Sequence, residues 1–273
     1  MIRMGIGSQL VQIRGATVLL TGATGGLGQA IARGLAARGA RLILTGRRTE
    51  ILEPLAGELD ARALSVDLSE RAEVDRLIGE ASEVDILIAN AALPASGRLE
   101  SFSVREIDRA LDVNLRAPII LAHALAPAMV ARARGHLLFM SSISGKAASS
   151  GTALYSASKF GLRGFSLALR ADLHASGVGV SAVFPGFIRD VGMYADAGVS
   201  LPPGVGTRSP QDVVRAVVSA IERNRAEVDV VPMTMRAGAV VAGLAPELAA
   251  GVARKLQADD IARQFADAQR EKR

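Results

Sequence analysis

The sequence predicts an α/β fold, a doubly wound parallel sheet of about seven strands with helices on both faces, and three observations carry that prediction. Short runs rich in Val, Ile and Leu alternate with longer stretches of helical period from about residue 16 to residue 231. The runs are continuously apolar, the pattern of strands covered on both faces. A glycine-rich turn joins the first run to the first helical stretch. The strands are expected at residues 16–21, 41–45, 63–66, 85–89, 136–140, 178–184 and 228–231, with helical patterns between successive members. Right-handed crossovers between parallel strands place helices on each side and open a ligand crevice beyond the carboxyl ends of the strands. Function is therefore expected just after each strand.

A single domain absorbs most of the 273 residues. It is expected over residues 15–232, after an extension at 1–14 and before a helical extension at 233–273 that packs on the same domain. Hydrophobic residues make up 49% of the chain, enough for a buried core. The absence of cysteine excludes disulfides, thiolate metal sites and a cysteine nucleophile, and leads to the expectation of a cytoplasmic protein. The formal charge of +5 is spread among Asp and Glu, and no run of Lys/Arg interleaved with aromatics appears, so nucleic acid is not expected as a partner. Residues 1–14 lack the apolar run of a signal peptide, and no segment reads as the roughly 18 to 20 apolar residues that span a bilayer. Periodicity fades from residue 186 to residue 206, where Gly192, Gly198, Pro202, Pro203, Gly204 and Gly206 mark a long lid-like loop. Ser209 and Pro210 then read as an N-cap and a first helical position. Residues 237–245 are apolar; packing on the chain's own domain is the first expectation, with peripheral membrane or subunit contact as alternatives.

The first strand runs into Thr21-Gly22-Ala23-Thr24-Gly25-Gly26-Leu27-Gly28, and helical spacing follows. Glycines let the backbone turn tightly and approach a pyrophosphate, while the helix start presents free N–H groups and the positive end of its dipole. Gly22, Thr24, Gly26, Leu27 and Gly28 are thus candidates for binding a dinucleotide on a Rossmann-type fold. The second strand ends at Thr45-Gly46-Arg47-Arg48, where an NAD-selective site usually carries a carboxylate. Arg47 is instead suited to a 2′-phosphate, favouring NADP(H), although two arginines on a solvated helix start would look the same.

The turn, Asn90-Ala91-Ala92 after the fourth strand, Ser142, and Tyr155 with Lys159 four residues later together resemble the short-chain dehydrogenase/reductase family from about residue 14 to residue 232. Residues i and i+4 share a helix face. The resemblance implies an NADP-dependent oxidoreductase moving a hydride between the nicotinamide and a carbonyl or alcohol carbon. Tyr155 would be the acid/base, Lys159 the neighbouring ammonium that lowers the phenol pKa and holds the nicotinamide ribose, and Ser142 the substrate-oxygen partner. It further implies that Asn114 holds a water relaying protons to the lysine, that Asp67 and Leu68 contact adenine, and that Asn90 and Ala91 pack beside the cofactor. Pro185 and Ile188 would line the nicotinamide. Where many members have Thr, this chain has Asp190.

No metal site is expected, since His123, His136 and His174 have no ligand spacing. The rival from another class is a catalytically silent NADP(H)-binding redox sensor on the same fold, against which the Ser142, Tyr155 and Lys159 set argues. A dehydratase or epimerase is a nearer rival. Residues 93–97, 144–151 and 187–206 are the expected pocket; Leu93, Pro94, Phe187, Met193 and Tyr194 make it apolar, suiting a bulky or lipid-like carbonyl or alcohol substrate. Family resemblance also implies a homo-dimer or homo-tetramer through helices near 117–133 and 152–175.

Overall fold

In the computed structural model, residues 11–199, 201, 205–248, 251 and 258–269 are described. Strands β1 (Thr17–Leu20), β2 (Arg41–Gly46), β3 (Arg62–Ser65), β4 (Ile86–Ala89), β5 (Gly135–Met140), β6 (Val178–Pro185) and β7 (Glu227–Val230) form one sheet. Its order is β3-β2-β1-β4-β5-β6-β7, and every pairing is parallel. The strands expected from sequence are all present, with ends shifted by about a residue. The order reverses between β1 and β4, which puts the glycine turn after β1 beside Asn90 after β4 at the crevice.

The helices are α1 (Gly26–Ala36), α2 (Thr49–Glu58), α3 (Arg71–Glu80), α4 (Val104–Leu111), α5 (Ala117–Ala131), α6 (Ala153–Asp172), α7 (Met193–Ala197), α8 (Pro210–Glu222), α9 (Met233–Leu244) and α10 (Ala258–Gln269). Ile31 and Leu35 of α1, Leu55 of α2 and Val213 and Val217 of α8 pack on one face of the sheet. Leu77 of α3, Leu121 and Leu125 of α5 and Leu162 of α6 pack on the other. Burying one such side chain contributes about 1.5–3 kcal/mol, and the covered faces explain why β1, β4, β5 and β6 are apolar without alternation. Ser209 caps α8 as the sequence suggests: its hydroxyl accepts from Asp212 N at 3.2 Å, with Pro210 in the first turn.

Two features differ from the expectation. Residues 104–131 form a run of helix joined by a π turn at Asp112–Arg116, long and apolar enough to cross a membrane by length and composition. Its α5 half nevertheless turns Ala117, Leu121, Leu125 and Met129, spaced four apart, into the core. The loop after β6 contains α7, and α10 returns from the C-terminal region to pack on it. In α9 only Ala239 is buried, and Met233, Val240, Val241 and Leu244 are exposed. Pro202, Pro203 and Gly204, most of the 1–14 extension and the charged tail from residue 270 lie outside the described residues.

Candidate active site

At the turn after β1, Gly22 takes φ +67°, a left-handed conformation that favours glycine, and a Cβ there would lie 2.7 Å from Ala91 Cα. A Cβ on Gly28 would overlap the Gly22 carbonyl oxygen, so the start of α1 sits directly on the turn. Gly25 precedes α1 with no side-chain cap, and the first turn holds no acidic residue. Its leading N–H groups, which have no partner within a helix, are thus left for an anion. Thr24 is buried with its methyl against Gly46, and its carbonyl accepts from Arg48 Nη2 at 2.6 Å. Beyond the turn, a Cβ on Gly26 would lie 2.6 Å from Val191 Cβ, and Gly192 faces Leu27, so the loop after β6 covers this end of the crevice.

A residue the sequence reading passed over organises this end. Thr21 is buried, and its hydroxyl oxygen accepts from both Asn90 N and Ala91 N at 3.0 Å. Asn90 returns the bond, its Nδ2 donating to Thr21 O at 3.0 Å and Gly22 O at 3.2 Å. The side chain expected beside a cofactor therefore straps β4 to the turn, and Ala91 packs against Gly22. The signal was present in the sequence as a Thr opening the glycine motif.

Arg47 is 45% exposed and lies 3.4 Å from Asp67, within reach of a ligand at the end of β2. Asp67 accepts from Ser69 N at 2.9 Å and Ser69 Oγ at 2.7 Å. Burial works to raise its pKa, but the Ser69 bonds and the Arg47 guanidinium hold it below the ordinary carboxylate range. Leu68 is buried in the core, which leaves its backbone, not its side chain, for any adenine contact. At the end of β6, Arg208 N donates to Phe187 O and Arg189 N to Arg208 O, both at 2.9 Å. In such a parallel bridge the middle residue turns its own N–H and C=O the other way, so Ile188 keeps both for the crevice. Asp190 follows at φ +72°, a conformation that costs a non-glycine residue about 1 kcal/mol or more.

Ser142, two residues beyond β5, is extended, its hydroxyl oxygen accepting from Ser144 N at 3.1 Å and its O–H directed at the Pro185 carbonyl 3.5 Å away. Tyr155 and Lys159 stand one turn apart on α6. Lys159 is 2% exposed; its Nζ donates to Met140 O at 2.9 Å and lies 5.6 Å from the Tyr155 ring centre. Burial pulls the lysine down to about 8. Against the acidic phenol expected from the neighbouring lysine, burial pushes Tyr155 above its ordinary value, with Ser142 opposing that only in part. A carbonyl, not the phenol, holds the ammonium, so the lysine is placed to help once a phenolate forms. Asn114, fully buried in the π turn, accepts from Leu93 N at 2.7 Å and donates to Leu93 O at 3.0 Å. Its amide thus fixes the loop after β4.

Two of the expected pocket segments meet, Gly97 N donating to Gly151 O at 2.7 Å, and within the third the rings of Phe187 and Tyr194 lie 5.3 Å apart. Phe265 of α10 completes this wall at 5.9 Å from each, a contribution the sequence reading missed. Among the described residues no group of three or more His, Cys, Asp or Glu is gathered to hold a metal.

Residues 16–198 match the short chain dehydrogenase model. The ketoacyl reductase HetN of Nostoc is 34% identical over 228 residues, covering 80% of this chain and 79% of that protein. A short-chain dehydrogenase of Sphingobium yanoikuyae in complex with NADPH superposes with a TM-score of 0.75 at 28% identity, covering 85% of this chain and 96% of that one. A serine dehydrogenase complexed with NADP+ gives 0.71 at 30% identity, covering 80% and 95%. With that sheet order, glycine turn and Ser142–Tyr155–Lys159 set, the chain belongs to the short-chain dehydrogenase/reductase family.

Proposed function

We propose that this oxidoreductase uses NADP(H) to interconvert a carbonyl and an alcohol on an apolar substrate, with Tyr155 moving the proton. The observation that carries the reading is that the helix bearing Tyr155 and Lys159 is held to the end of β5 just before Ser142, with Lys159 Nζ donating to Met140 O at 2.9 Å and lying 5.6 Å from the Tyr155 ring centre. The uncapped start of α1, the glycine cradle, and the free backbone of Ile188 fit a dinucleotide. The nicotinamide, when bound, supplies or removes the hydride. The protein's part is to bind, orient and move a proton. Ser142 and Tyr155 present hydroxyls to the substrate oxygen, and Tyr155 O–H gives up its proton as negative charge develops there. The phenolate left behind is buried, and the Lys159 ammonium is the nearby cation that stabilises it.

The NADP preference rests on Arg47 at the end of β2 and on solved relatives that carry that cofactor. The 2′-phosphate would displace Asp67 as the partner of Arg47. An apolar substrate is supported by the wall of Phe187, Tyr194 and Phe265. Calorimetry with NADPH and NADH on wild type and Arg47→Ala tests the cofactor choice. A charged hydrogen bond contributes about 1.5–3 kcal/mol, so the variant should lose roughly 10- to 100-fold in NADPH affinity and little for NADH. Equal wild-type affinities for the two would remove the argument. A panel of ketones with NADPH tests the substrate class, and turnover confined to small charged ketones would overturn it.

A further inference from the structure

β7 is an edge strand whose alternation sends Val228 and Val230 toward the α8 side and Glu227 and Asp229 to the opposite face, where α6 lies. On that face the two carboxylates meet cations from both catalytic segments. Lys146, four residues beyond Ser142, places its Nζ 2.8 Å from Glu227 and 2.6 Å from Asp229, and 4.1 Å above the ring of buried Phe184. Arg163, one turn beyond Lys159 on α6, donates through Nε to Glu227 Oε1 at 2.6 Å and through Nη2 to Oε2 at 3.3 Å. Arg236 at the start of α9 adds a contact to Asp229 at 3.3 Å. Lys146 and Asp229 are 13% and 11% exposed, so little solvent screens them. Burial works to raise Glu227, yet the Arg163 and Lys146 bonds hold it below the ordinary range, so it stays charged.

We propose that Glu227, backed by Asp229, is a positioning residue: by gripping Lys146 and Arg163 together it fixes the loop bearing Ser142 against the helix bearing Tyr155 and Lys159. The two segments also touch at one close contact. A Cβ on Gly145 would lie 2.7 Å from Lys159 O, and Ser141 Oγ donates to that same carbonyl at 3.1 Å. The ion cluster sits beyond this contact and sets the angle between loop and helix. Neither carboxylate belongs to the Ser142–Tyr155–Lys159 set, and both act only through the cations they hold.

The turnover test rests on the function proposed above; a second readout does not. In Glu227→Gln, kcat should fall about 10- to 100-fold, the loss expected from a reacting group displaced by about an ångström. The KM and binding stoichiometry for NADPH should stay near wild type, because the glycine turn is untouched. A variant that only lost stability would lower NADPH stoichiometry and kcat together. The chain has two tyrosines and no tryptophan, so in a Tyr194→Phe background the ultraviolet phenolate band reports Tyr155 alone. Glu227→Asp in that background keeps the charge but is one methylene too short to span both cations. The Tyr155 titration midpoint should move away from its wild-type value as Ser142 and Lys159 shift relative to the phenol. Wild-type protein that reduces no ketone would defeat the proposed function and leave this titration to decide the positioning role. An unchanged kcat in folded Glu227→Gln, or an unchanged midpoint in Glu227→Asp, would overturn the proposal.

Discussion

Lys159 and Lys146 are both largely withdrawn from water near the end of β5, yet their surroundings are opposite. Lys146 is met by two carboxylates within 2.8 Å and by the face of Phe184. Lys159 is met by one backbone carbonyl, and burial pulls it down to about 8. The difference teaches what each ammonium is for. A cation whose position must stay fixed is neutralised by fixed anions, and their attraction offsets the desolvation cost. A cation that must respond to a charge formed during the reaction has to be left short of anions, since a resident carboxylate would already have spent its field. The price of leaving Lys159 so is stability.

The largest effects should separate the two lysines by activity. Tyr155→Phe removes the proton and Lys159→Met the cation that steadies the phenolate, and each should lower turnover by about 10³-fold in steady-state assays, within the range for acid/base groups. Either variant retaining nearly full rate would erase the role assigned to the uncompensated lysine. By stability the order reverses. Lys146→Met leaves Glu227 and Asp229 with Arg163 and the more exposed Arg236, and should cost about 2 kcal/mol, or roughly 4–8 °C in Tm for a chain of this size. A thermal melt at neutral pH indistinguishable from wild type would show that the carboxylates do not need it.

Much of this is legible in the amino-acid sequence. The strands in the middle of the sheet are apolar on both faces, so their runs stand out, and the glycine turn and the Tyr155–Lys159 spacing are local patterns fixed by one turn or one helix. The edge strands were less clear. β7 reads Glu-Val-Asp-Val and its sequence boundary fell at Val228, one residue late, which hid the pairing of Glu227 with Asp229 on a single face. Contacts between distant segments were not legible at all. Phe265 meets Phe187 across nearly eighty residues, and Glu227 meets Lys146 and Arg163 across more than sixty. Nor could spacing show that Asn90 and Asn114 spend their amides on backbone groups, because an asparagine at a loop looks the same whether it faces a ligand or a carbonyl. The phenol shows the same limit: adjacency on a helix suggests charge stabilisation, but burial acts on Tyr155 more strongly than its neighbours do.

The smallest effect is the sharpest test of the contrast, because its sign is unusual. Lys159 titrates at about 8 in the folded protein against an ordinary lysine value of 10.5. Between those values the unfolded chain binds the proton and the folded one does not, so this group's contribution to stability rises with pH there. Below about pH 8 both states are charged and the full penalty applies, about 3 kcal/mol for a shift of that size. Lys159→Met removes the penalty but leaves the Met140 carbonyl without its donor, giving back about 1 kcal/mol. The variant should therefore be more stable than wild type by about 2 kcal/mol at pH 7. That advantage should shrink as pH rises from about 8 toward 10 and then change sign, as the wild-type lysine loses its charge. Denaturant titrations of both proteins at these pH values measure it. A variant that is less stable at pH 7, or an advantage that does not change with pH, would mean that Lys159 carries no burial penalty and that the two lysines differ in position alone.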